Sequence, residues 1–582
     1  MSLPLKQYFD LLEKYLRPQW RRVTLLAVLL FSGIGLQLLT PQIVRNFIDT
    51  AQKGGAASEL TRTGLFYLCV TLLYQVMRTG AAYVTEDVKW QTTNRLRNDL
   101  SRHCLALDMT FHNDNTPGAM IERIDGDVTE LSNFFSQFTL KVLGNGVLLI
   151  GVLLLLYREE WRIGLSYTLF AALMIFVLGK TVGMGTPFWK ARRAASAEMF
   201  GFIEEWLSGT EDLRANGGGD YVMQQLQRAI GKIYHASRKA FLIGNLTWGF
   251  NTLLFSVSMA LALGLGAYLL QAGAITIGAV YLILQYSGSL QRPLEELSRE
   301  FQDLQAATAS IARIRELFAL EPVVQESVTP LRLPATALTV AFDHVTFGYA
   351  PDELILHDIT FRLEAGKVLG LLGRTGSGKT TITRLLFRLY DPTRGAIRLG
   401  GQDLREVALA DLRSHVGMVT QEVQLYQASV RDNLTFFNKA IPDDRILEAI
   451  EILGLGPWYA GLEQGLNTRL ASGGRGLSAG EAQLLAFTRV FLKNPGLVIL
   501  DEASSRLDPV TEQLIERAID RLLYNRTAII VAHRLATVQR ANEIMILSDG
   551  RILEQGARLA LAAQANSHFS HLLRVGLEEV LV

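Results

Sequence analysis

Eight consecutive residues, Gly373-Arg374-Thr375-Gly376-Ser377-Gly378-Lys379-Thr380, have the types and spacing to hold a polyphosphate. They fill every fixed position of the pattern G-x-x-x-x-G-K-[ST]. The glycines let backbone N–H groups turn inward around a triphosphate, and a helix N-terminus behind them adds partial positive charge. Lys379 can then reach the β- and γ-phosphates, while the Thr380 hydroxyl can ligate Mg²⁺. Such a loop needs a strand before it and a helix after it. Val368-Leu369-Gly370-Leu371-Leu372 reads as a buried strand, and Ile382, Leu385, Leu386 and Leu389 recur at helical spacing.

Further residues converge on the same chemistry. Leu497-Val498-Ile499-Leu500-Asp501-Glu502 is an apolar strand that delivers two carboxylates to its C-terminal end. Asp501 fits a Mg²⁺ ligand, and Glu502 fits the group that orients or deprotonates an attacking water. A second strand, 528–532, presents His533 at its end, suited to a γ-phosphate or to that water. Tyr349, in a turn Phe347-Gly348-Tyr349, offers a ring for adenine, and base stacking contributes about 1–3 kcal/mol. Leu477-Ser478-Ala479-Gly480-Glu481 opens a helix with apolar Leu484, Leu485, Phe487 and Val490. Ser478 and Glu481 have capping-box spacing, which accounts for Glu481 without a nucleotide. The same helix start, with a Ser hydroxyl and a Gly N–H, is also an anion site.

These groups occupy the second half of a chain of 582 residues, long enough for at least two domains. Lys+Arg 57 against Asp+Glu 56 leaves a formal charge of +1, which gives a nucleic-acid partner no support. Cys69 and Cys104 form no C-x-x-C pattern, arguing against metal, redox and disulfide roles. Apolar residues make up 49% and are unevenly placed. From 23 to 44 there is no charged residue, a length that spans a hydrocarbon core of about 30 Å, with Pro41 positioned to kink that helix. Further apolar runs cover 64–84, 142–157, 163–179, 242–270 and 275–290, giving about six spanning helices. Lys and Arg cluster before the first run, after the second and after the fourth, placing both termini in the cytoplasm. Between runs two and three, and four and five, lie long polar helical segments with breaker clusters at 113–118 and 216–220. Gln75, Arg78, Asn145, Asn251, Gln285 and Tyr286 are polar at membrane depth, as pathway or packing residues. The composition shifts near Pro330 and Pro334, separating a membrane domain over 1–330 from an α/β domain over 336–582.

With these motifs in this order, the chain resembles an ATP-binding cassette (ABC) transporter, specifically an exporter-type half-transporter, over almost its full length. The resemblance makes Tyr349 the A-loop, 373–381 with Thr381 the Walker A segment, and Asp501 and Glu502 Walker B. Gln421 becomes the Q-loop residue and a Mg²⁺ ligand with Thr380 and Asp501, Asp508 the D-loop and His533 the switch histidine. Ser478, Gly480 and Glu481 become a signature acting on the ATP of the partner subunit. It implies a dimer with two ATPs sandwiched between subunits, and coupling helices around 115–119 and 209–219. Lys379, Gln421, Glu502 and His533 are then the catalytic set, with ATP and Mg²⁺ as cofactors.

The signature departs from the family's Leu-Ser-Gly-Gly-Gln at Ala479 and Glu481, and Arg506 stands where a small residue is usual. A full Walker set beside an altered signature favours one half of a heterodimer over a homodimer. The expectation is ATP-driven export, through the bacterial cytoplasmic membrane, of a substrate that the residues leave open. An ATP-gated channel or regulatory membrane protein, and a lipid flippase of the same architecture, are the alternatives.

Overall fold

The computed structural model describes residues 13–137, 142–350, 353–420, 423–474, 476–501, 509–532 and 538–575. They fall into two compact units, one formed by Met1–Leu105 and Thr116–Leu320, the other by Ala106–Asn115 and Glu321–Val582.

The first unit is helical, with α1 (Trp20–Gln52), α2 (Ala57–Ala106), α3 (Asp127–Gln137), α4 (Gly144–Glu159), α5 (Trp161–Ser208), α6 (Gly219–Gln271), α7 (Ile277–Ser289) and α8 (Gln291–Ala319). Among the described residues, four continuous helices are long and apolar enough to cross a membrane, over Glu13–Gln52, Ala57–Ala106, Trp161–Ser208 and Gly219–Gln271. Protein covers only 11% to 33% of their most apolar windows. Bare hydrocarbon on that scale is stable against lipid and not against water. Of the six apolar runs read from the sequence, 142–157 and 275–290 form the shorter helices α4 and α7. The second stops because Pro293 has no N–H for the Ser289 carbonyl, so the ladder breaks at Leu290 before α8. In contrast, α1 runs on through Pro41.

Leu148, Val152, Leu156, Tyr167, Met174, Leu282 and Tyr286 form the shared core of this unit. Its buried hydroxyls are paired: Tyr167 donates to Ser287 Oγ at 2.8 Å and Tyr286 to the Leu38 carbonyl at 2.8 Å. Asp49 of α1 accepts from Thr276 Oγ1 and Gly278 N, tying α1 to the start of α7. Asp127, buried at the start of α3, takes a bidentate ion pair from Arg313 of α8.

The second unit carries two sheets. Its strands are β1 (Val340–Ala350), β2 (Glu353–Leu363), β3 (Val368–Gly373), β4 (Arg394–Leu399), β5 (Gln402–Asp403), β6 (Val416–Val419), β7 (Leu497–Asp501), β8 (Thr527–Val531), β9 (Glu543–Ser548) and β10 (Arg551–Ala557). An antiparallel sheet runs β2-β1-β4-β5, and the other runs β10-β9-β3-β8-β7-β6, parallel except for β10. Phe347, Gly348 and Tyr349 lie within β1, where the sequence suggested a turn, because pairing with β2 continues to Ala350 through register shifts. The central strands are buried on both faces. Val498, Leu500 and Ile530 pack with Phe487 and Ile515, while Ile499, Ile529 and Leu371 pack with Phe342 and Phe361. Three helices frame the sheet: α9 (Lys379–Leu386), α10 (Ala479–Lys493) and α11 (Pro509–Leu523).

A short helix, Met109–Asp114, also belongs to this second unit. Met109 packs on the core beside Phe387 and Leu389, and Asn113 Nδ2 donates to Tyr390 Oη at 2.9 Å. Asp108 caps it, with Oδ1 accepting from Thr110 N and Phe111 N, while its Oδ2 accepts from Val323 N at 2.8 Å. The expected coupling position 115–119 straddles the boundary between the units, and 209–219 lies in the first.

Asp108→Ala removes a cap that contributes about 1 kcal/mol. Amide hydrogen exchange of residues 109–115 should rise about fivefold, with β3 and β7 unchanged; an unaltered rate would refute the capping role.

Candidate active site

Strand register brings the chemistry-bearing residues to one edge. Leu371 is level with Val531 and Met545, Val531 with Asp501, and Leu500 with Val419. The phosphate loop, Ala532, Asp501 and Thr420 therefore emerge together at the C-terminal ends of parallel strands, where open α/β sheets bind ligands. Gln421, Glu502, Asp508 and His533 lie outside the described residues. Gln421 directly follows Thr420, Glu502 follows Asp501, and His533 follows Ala532.

The loop fits a polyphosphate. Gly373, Gly376 and Gly378 have φ of 148°, 82° and 102°, and a Cβ at Gly373 would lie 2.4 Å from the Leu547 carbonyl oxygen. The left-handed backbone at these three positions thus favours glycine, which leaves the amides there uncovered by side chains of their own. Helix α9 begins at Gly378 without a side-chain cap, so its first N–H groups face the loop. Lys379 is buried, and its Nζ donates to the Gly373 and Arg374 carbonyls at 2.6 and 3.0 Å, in the middle of the turn. Ser377 Oγ is buried with no hydrogen-bond partner among the described residues, the kind of orphaned hydroxyl that a phosphate oxygen would satisfy. Thr380 is exposed beside it and Thr381 is buried.

Tyr349 reaches this loop from β1. Its Oη lies 3.2 Å from Thr381 Oγ1 and accepts from Arg384 Nη1 at 3.1 Å. The ring meets Phe347 and Tyr390 edge-on, with centroids 5.0 and 5.1 Å away, and remains 38% exposed for stacking. Burial pushes the Tyr390 phenol above its ordinary range, partly offset by Arg384. Neither Arg384 nor Tyr390 was singled out from sequence. The signal for Arg384 was its place one turn after Thr381 on α9, and Tyr390 gave none.

The signature segment closes on itself. Ser478 Oγ accepts from Glu481 N at 3.2 Å, and Glu481 Oε2 accepts from Ser478 N at 2.7 Å, completing the capping box. Ser478 and Ala479 are exposed and Gly480 is buried. A Cβ at Gly480 would stand 1.9 Å from Thr511 Cγ2, so the glycine is what lets α10 meet α11.

Overpacking of this kind costs about 1–3 kcal/mol. Gly480→Ala should lower the calorimetric Tm of the cassette transition, and adding Thr511→Ser, which removes Cγ2, should recover most of the loss. A double variant no better than the single one would show that the clash lies elsewhere. Tyr349→Ala should raise the KM for ATP about tenfold with kcat little changed, in line with one lost stacking contact.

A family profile described as the ABC transporter transmembrane region matches residues 23–294, and one described as ABC transporter matches 356–505. An ATP-dependent lipid A-core flippase of Alcanivorax borkumensis is 28% identical, aligned over 98% of this chain and 97% of its own. A multidrug efflux ATP-binding/permease protein of Mycobacterium tuberculosis is 31% identical over 97% of this chain, which spans 47% of that longer protein. The solved structure of a bacterial Atm1-family ABC exporter with ATP bound shares the fold, with a TM-score of 0.80 over 96% of this chain and 98% of its own at 24% identity. The chain belongs to the ABC transporter family, with a transmembrane region and an ATPase domain fused in one polypeptide that couples ATP hydrolysis to transport.

Proposed function

We propose that this chain is one half of a dimeric ATP-driven exporter in a bacterial cytoplasmic membrane, with both termini and the ATPase domain on the cytoplasmic side. One observation carries the reading. A polyphosphate loop and Asp501 share one sheet edge in the same polypeptide as helices whose apolar windows are left bare by protein. Spans placed ahead of the cassette in the same chain support export over uptake.

Lys379, at the centre of the loop, is positioned to hold the β- and γ-phosphates, and the ring of amides from 373 to 381 takes the remaining oxygens. Mg²⁺ held by Thr380, Asp501 and Gln421 would spread the charge on those phosphates. Glu502 orients and deprotonates the attacking water, and His533 hydrogen-bonds the γ-phosphate. Ser478, Gly480 and Asp508 act across the dimer seam, on the nucleotide held by the partner. The segments 115–119 and 209–219 carry closure of the cassettes to the spans.

The partner in this reading is a second, different half-transporter. The altered signature supports it: Ala479 adds an exposed methyl, and Glu481 adds a carboxylate held in place by Ser478 N. This chain's Walker face then completes the stronger site with the partner's signature, and its own signature serves a weaker one.

Glu502→Gln should abolish steady-state ATP hydrolysis, by about 10²-fold or more, while keeping nucleotide binding and favouring the closed dimer. Normal turnover in that variant would refute the assignment. Purified alone, the chain should show little vanadate-sensitive ATPase, rising when it is co-purified with its partner half. Full activity of the chain alone would establish a homodimer.

A further inference from the structure

Helices α5 and α6 pack side by side, and from Trp161 to Ala197 the sequence of α5 contains no acidic residue. The same holds in α6 from Tyr221 to its end at Gln271. Basic residues do occur there: Arg162, Lys180, Arg228 and Lys232 are spread along the helices, while Lys190, Arg192, Arg193, Arg238 and Lys239 gather at one level. At 1.5 Å per residue, Lys190 and Arg193 lie about 44–48 Å along the helix from Trp161. Lys239 and Arg238 lie about 48–50 Å from Gln271 on its neighbour. A bilayer with its headgroups is about 40–45 Å thick. If the ends at Trp161 and Gln271 sit at one membrane surface, all four charges reach the headgroup layer of the other.

The packing confirms that the two sets are level. Trp189 and Phe241 meet edge-to-face with centroids 5.4 Å apart, and the Arg192 guanidinium lies 5.2 Å from both rings. Aromatic rings beside cations are what the interfacial zone selects. Lys190, Arg193, Arg238 and Lys239 are exposed, with no hydrogen bond or ion pair among the described residues. The first acid beyond them, Glu198, is held by Lys232 at 2.6 Å. On the adjoining α8, Glu295 and Glu296 are held by Gln291 and Asn145. Among the described residues no carboxylate pairs with these four cations.

We propose that this basic and aromatic belt on α5 and α6 binds the headgroups of anionic phospholipids in the cytoplasmic leaflet. The long side chains lay their methylenes on the helix surface and extend their charges to phosphate oxygens, while Trp189 and Phe241 fix the depth. The inference concerns annular lipid and is independent of which substrate the protein carries.

The test uses the full chain, reconstituted in nanodiscs of equal phosphatidylcholine and phosphatidylglycerol and then released for native mass spectrometry. Phosphatidylglycerol should be retained several-fold over phosphatidylcholine. In the quadruple variant Lys190→Gln, Arg193→Gln, Arg238→Gln, Lys239→Gln, that ratio should fall by at least about fivefold, the factor expected of a single basic residue at an anionic leaflet. Equal retention of the two lipids by the unmodified protein would overturn the proposal, as would an unchanged ratio in the variant. Should the variant not accumulate, the unmodified protein's ratio decides.

Discussion

The register of four parallel strands is the constraint on which the site rests. Backbone hydrogen bonds hold β3, β8, β7 and β6 level, so a loop, a carboxylate and the residues that follow emerge in one row although they come from distant parts of the chain. A slip of one residue in β7 would turn Asp501 to the opposite face and exchange the apolar residues packed on the two sides of the sheet. The sandwich of Phe487 and Ile515 on one face and Phe342 and Phe361 on the other fixes that register by burial. Chemistry and stability are therefore specified by the same interaction.

The two units answer to different solvents. In the C-terminal unit the apolar residues of the central strands β3, β7 and β8 are buried on both faces. In the N-terminal unit long apolar stretches face outward, while the buried hydroxyls of Tyr167 and Tyr286 are paired with Ser287 and a carbonyl. Lipid offers no hydrogen bonds, so polar groups there must find partners inside the protein.

Much of this was legible in the sequence because the informative features are local. The glycines of the phosphate loop, the apolar strand before Asp501 and the Ser478–Glu481 cap each announce themselves within a few residues, and each takes the expected conformation. Features that depend on tertiary pairing were less visible. Tyr349 read as a turn residue because nothing near it in sequence shows that β2 pairs along its strand. The interruption after α7 follows from Pro293, which lies beyond the apolar run that suggested a span. The approach of Gly480 to Thr511, and the cage of Arg384 and Tyr390 around Tyr349, join residues whose meeting only the fold determines.

The helix at Met109–Asp114 has a bearing on how such a molecule can be divided. Ten residues from the first half of the chain are counted, by their contacts, with the second half, seated through Met109 and Asn113 and tied at Asp108 to Val323. A cut near residue 320 would not yield a self-contained ATPase, because part of its surface would leave with the other piece and Tyr390 would lose its amide partner. The polypeptide is interleaved, and its halves were shaped as one inheritance.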